Sequence, residues 1–138
     1  MKHLKMLGVL VAVLMLVSVA NAEYVPFKVK LNSLERLMVA SLLPKESSFA
    51  DYKILNDLRI ELAYTEEEKA AINMKPAENG GVMAQWSAVK EKEITFGATT
   101  EKIVIDALVK LDQQEKLLPE HISLYKKFVV REKKEETK

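Results

Sequence analysis

The sequence predicts an α+β fold, with about five short helices and a small antiparallel sheet or hairpin, preceded by a leader segment. Three observations predict it. Apolar residues recur with the helical period behind cap residues at several places in the chain. Two stretches alternate apolar and polar residues, the period of a half-buried strand. An Asn-Gly-Gly sequence lies between two short strand-like runs.

The leader comes first. Lys2, His3 and Lys5 form a basic head, residues 6–19 are almost wholly apolar, and Ala20-Asn21-Ala22 puts small residues where a signal peptidase reads. The apolar run of about 14 residues is shorter than the roughly 20 a membrane-spanning helix needs. Cleavage is therefore expected between Ala22 and Glu23, giving a periplasmic or secreted protein; retention of residues 1–22 as a membrane tether is the alternative. The chain has no cysteine, which excludes lipid attachment at such a residue, disulfide staples and thiol chemistry together.

Residues 23–130 read as one α+β domain of a size that can bury a single core. Phe27, Val29 and Leu31 alternate with Lys28 and Lys30 as a first strand. Asn32 with Glu35 fits a capping box, and Leu34, Leu37, Met38 and Leu42 then fall on one helical face until Pro44 stops it. Ser48 with Asp51 repeats the cap before a second helix whose inward residues are Ile54, Leu55, Leu58 and Leu62. Thr65 with Glu68 caps a third, shorter helix ending near Asn73. Residues 74–78 and 82–86 read as two strands around Asn79-Gly80-Gly81, and residues 90–96 as a further strand. Thr99 or Thr100 is expected to cap a fourth helix with Ile103, Ala107, Leu108 and Leu111 buried. A fifth starts at Pro119, a favoured first position, with Ile122, Tyr125, Phe128 and Val129 inward. Residues 131–138 are almost all charged and predict a disordered tail.

Several of these stretches, taken in order, are similar to a group of small phage and prophage-associated proteins of uncharacterised function. They are Leu42-Leu43-Pro44-Lys45-Glu46, the helix over residues 51–63, the Thr65-Glu66-Glu67-Glu68 cap, Leu111-Asp112, and His121 through Phe128. The resemblance covers most of the chain after the leader. It implies a shared fold and supplies no site residues.

Charge narrows the function classes. The whole chain has 21 basic and 20 acidic residues, and removal of Lys2 and Lys5 with the leader leaves a net charge of about −1. Such a balance lacks the basic footprint of nucleic-acid binding, so no nucleic-acid partner is expected. No cofactor is expected either. His121 is the single histidine after the leader, which excludes a multi-histidine zinc site, and no oxygen-ligand calcium loop is present. Glu66-Glu67-Glu68 reads as acids favoring the positive end of a helix. The glycines Gly80, Gly81 and Gly97 lack phosphate-loop spacing.

A small hydrolase would have to use His121 as base, or a carboxylate pair such as Glu91 and Glu93. His121 near a helix start reads as a surface polar residue, and the two acids, flanked by Lys90 and Lys92, as a solvated face. Trp86 is the residue singled out, either filling the core or anchoring a partner. The expectation is an exported, soluble, non-enzymatic interaction module with a protein partner. The alternatives are the hydrolase and the tethered protein.

Overall fold

The computed structural model describes residues 24–137, so the leader and its cleavage point at Ala22 and Glu23 lie outside the described residues. Strand β1 (Phe27–Leu31) is followed by helices α1 (Ser33–Leu42), α2 (Phe49–Leu62) and α3 (Glu66–Ile72). Strands β2 (Lys75–Pro76) and β3 (Val82–Met83) form a small hairpin, a 3₁₀ turn covers Trp86–Ala88, and β4 (Lys92–Phe96) leads into α4 (Ala98–Gln113). The last helical run, α5, is built from a 3₁₀ turn Pro119–His121, an α-helical turn Ile122–Tyr125, a π-type turn Lys126–Val130 and a final α-helical stretch Arg131–Glu136. Five helices and small antiparallel sheets make this an α+β fold.

β1 and β4 pair antiparallel, with Phe27 opposite Phe96 and Leu31 opposite Lys92. Their alternation puts Phe27, Leu31, Ile94 and Phe96 on the covered face and Lys28, Lys30, Glu93 and Thr95 outside. Behind that face lie Leu55, Leu58 and Leu62 of α2, Val104 and Leu108 of α4, and Leu124, Phe128 and Val129 of α5. Phe128 sits edge-on to both strand aromatics, with ring centroids 5.3 Å from Phe27 and 5.0 Å from Phe96. The π-type turn adds a residue to one turn of α5. The two neighbouring side chains Phe128 and Val129 are both buried within it.

The expected caps of α1, α2 and α3 form. Asn32 and Thr65 complete reciprocal capping boxes with Glu35 and Glu68, and Ser48 accepts from the Asp51 amide. Other expectations are corrected. The α4 cap is Gly97 rather than a threonine; Thr100 is buried and donates from its hydroxyl to the Gly97 carbonyl. Ile54 and Ile122 lie on the exposed side of their helices. In α1 the fully buried positions are Ser33, Glu35, Arg36 and Val39, while Leu37 is exposed. The reason is polar: charged side chains with partners inside the fold take the inward face of this helix.

Residues 131–138, read from composition as a disordered tail, instead continue α5 to Glu136. Arg131 explains why. Its guanidinium lies 3.5 Å from the centroid of the Phe27 ring and pairs with Glu101 and Glu135 at 3.1 Å each. A cation stacked on a core aromatic and held by two carboxylates ties the charged end to β1 and α4.

Candidate functional site

The hairpin and Trp86 form an exposed apolar surface on the fold. Its foundation is Arg36, which is fully buried. Helix α2 ends with carbonyls that have no partner within the helix. Arg36 supplies donors to two carbonyls there, from Nε to Leu62 at 3.2 Å and from Nη2 to Ala63 at 2.6 Å. The rest of the guanidinium fork meets Glu68 in two bonds, at 2.6 Å and 3.2 Å. Glu68 is also the capping-box acid of α3. One arginine thereby closes the end of α2 and fixes the start of α3, with Tyr64 stacked 5.0 Å away.

The hydrogen bond from Arg36, with the Thr65 amide second, holds the Glu68 carboxyl down at about 2. A carboxylate depressed in the folded state contributes stability above its ordinary value of 4.5, and that contribution is lost as the pH falls toward 2. Urea melts between pH 5 and pH 2 are therefore expected to show a loss from this pair of up to about 3 kcal/mol. The gap between the native protein and Glu68→Gln should close over the same window. A constant gap would remove the pair from the account.

From α3 the chain is handed on by backbone geometry. Asn73 ends the helix in the left-handed region, with φ 48. After β2, Gly80 turns the hairpin at φ 82, a conformation available to glycine at little cost, and the Asn79 side chain accepts from the Gly81 amide. The Gln85 amide then bonds back to the Ile72 carbonyl at 2.8 Å. Ser33 joins this segment to α1: its hydroxyl donates to the Trp86 carbonyl at 2.6 Å, and its own carbonyl accepts from the Tyr64 hydroxyl. Trp86 is thus held by its backbone, in a 3₁₀ turn rather than on the expected strand, with its side chain half-buried.

Beside it lies a groove of about 460 Å³ lined by Asn73, Lys75, Val82, Met83, Ala84, Gln85 and Trp86. Asn73 also lines a second hollow of about 410 Å³ with Tyr64, Lys69, Ile72 and Met74. Val82 and Met83 stand 60% and 63% exposed. Exposed apolar side chains gathered around a rigidly held tryptophan make a surface suited to burial against another molecule. The hairpin has two strands, so each has an unpaired edge. Pro76 has no amide to offer on β2, which leaves β3 as the strand able to pair outward.

Another hollow, of about 580 Å³, lies elsewhere, between Tyr24, α4 and the end of α5. Its carboxylates are largely answered from within: Arg131 binds Glu101 and Glu135, and Lys102 binds Asp106 at 2.6 Å. Tyr24 donates to Glu101, and burial together with that bond pushes its phenol up to about 12.

The other residues of chemical interest are not brought together. His121 is buried rather than on the surface, and its Nδ1 accepts from the Leu118 amide at 2.9 Å as part of the α5 start. Glu91 precedes β4 and Glu93 lies on its exposed face, opposite Lys30. Among the described residues no group of three or more His, Asp or Glu side chains is placed to hold a metal ion, and no helix is long and apolar enough to cross a membrane. Comparison with protein-family models, curated proteins and solved structures gave no match.

Proposed function

We propose that the protein is exported and acts as a non-enzymatic interaction module that docks a protein partner on the groove beside Trp86. One observation carries this reading: Trp86 is anchored through its backbone to α1, while its ring borders a groove whose other apolar residues, Val82 and Met83, are exposed. A partner segment that pairs with β3 would gain main-chain hydrogen bonds from the strand and burial from the tryptophan. The leader supports export, with the basic head, apolar run and Ala-Asn-Ala end in order.

Crosslinking in the exported fraction tests the reading. The native protein is expected to recover a partner, and addition of that partner should shift Trp86 emission to the blue. Trp86→Ala should weaken the complex by more than about 2 kcal/mol, and Met83→Glu should abolish recovery with little change in melting. Equal recovery by the native protein and both variants would overturn the docking site. An exported chain whose intact mass still includes residues 1–22, and which fractionates with membranes, would overturn the soluble reading.

A further inference from the structure

Helix α2 carries apolar residues on two separate faces. Leu55, Leu58 and Leu62 pack inward, yet Phe49 is 96% exposed, and Tyr52 and Ile60 are exposed beside it. Phe49, Tyr52, Asn56, Ile60 and Ala63 recur at the spacing of one helical face, so they form a single outward stripe along the length of the helix. None of them lines the groove beside Trp86.

We infer that this stripe pairs two copies of the chain, α2 against α2, antiparallel about a two-fold axis at Asn56. The stripe is complementary to itself in this arrangement. Asn56 is its midpoint, so Phe49 of one copy faces the small Ala63 of the other, and Tyr52 faces Ile60. The charges agree as well. Lys53 and Asp57 lie on the same flank of the stripe, and neither forms an ion pair among the described residues. The two-fold axis sets Lys53 of each copy beside Asp57 of the other, giving two symmetric ion pairs. On the opposite flank Arg59 of one copy falls beside the Tyr52 ring of the second. The two aromatic side chains bury roughly 300 Å² per copy, well under the about 800 Å² per partner of a standard interface. The association is accordingly of the weak, concentration-dependent class.

Because the protein has no cysteine, a single introduced thiol reports the geometry without background. Helices packed about 8–10 Å apart bring Cα atoms at facing positions into disulfide range. Asn56→Cys should therefore give a covalent dimer under mild oxidation. Phe49→Cys should not, because the two thiols would sit roughly 21 Å apart on either side of the axis. Sedimentation of the purified protein at rising concentration should show a monomer–dimer equilibrium. Lys53→Asp should weaken it about tenfold, and the swapped variant Lys53→Asp with Asp57→Lys should restore it. A monomer at every concentration, equal crosslinking through Asn56→Cys and Phe49→Cys, or a dimer indifferent to Lys53→Asp would each overturn the pairing.

Discussion

Arg36→Leu is expected to cost about 3–5 kcal/mol of unfolding free energy, the range seen when one member of a buried ion pair is removed. The size follows from what the guanidinium does. It is fully buried, and it bonds the Leu62 and Ala63 carbonyls as well as Glu68. Leucine fills much of the volume and answers none of these acceptors, so two carbonyls at the end of α2 lose their donor. Arg36→Lys should recover little, because a point ammonium cannot reproduce a planar fork bonded on three sides. Removing the acid as well, in Arg36→Leu with Glu68→Leu, should cost less than the two single changes combined, since neither charge is then left without its partner. Urea melts at pH 7 of the native protein, these variants and the single Glu68→Leu measure the differences. A loss below about 1 kcal/mol for Arg36→Leu would mean that α2 and α3 are joined by something other than this residue.

Phe128→Ala is expected to cost about 3–5 kcal/mol. The ring is fully buried and makes edge-on contacts to Phe27 and Phe96, so truncation removes two aromatic pairs and opens a cavity behind the β1–β4 sheet. Phe128→Leu keeps most of the volume and should lose less than about 2 kcal/mol. The same site tests the docking of α5. If the helix leaned on the sheet only through its charged end, Phe128→Ala and Phe128→Leu would melt alike, and the aromatic cluster would not be what holds it.

Much of this architecture was legible in the residues. Caps are local: Asn32 with Glu35, Ser48 with Asp51 and Thr65 with Glu68 declare helix starts because the chemistry lies within four residues. Alternation likewise marked β1 and β4, although their pairing across the chain is a tertiary fact. The inward face of α1 was not legible. Periodicity assigns leucines inward and charges outward, whereas Arg36 and Glu35 are buried because their partners come from elsewhere in the chain: Leu62, Ala63 and Glu68 for the first, Lys127 at 2.8 Å for the second. Tail composition misled for a related reason. A run rich in Lys and Glu reads as solvated, and nothing nearby in sequence announces that Arg131 will lie on the Phe27 ring. At the candidate site Trp86 could be singled out by residue type alone, while Ser33, the residue that holds it, carries no such signal.

The packing of Phe27 beneath Phe128 and Arg131 also orders events in time. The first strand of the fold is completed by the last helix, so a core contact must close a loop of about 100 residues. Closing so long a loop is slow, and it cannot happen before the C-terminal residues exist. A nascent chain therefore holds β1 without its aromatic cover until residues 128–131 have been made.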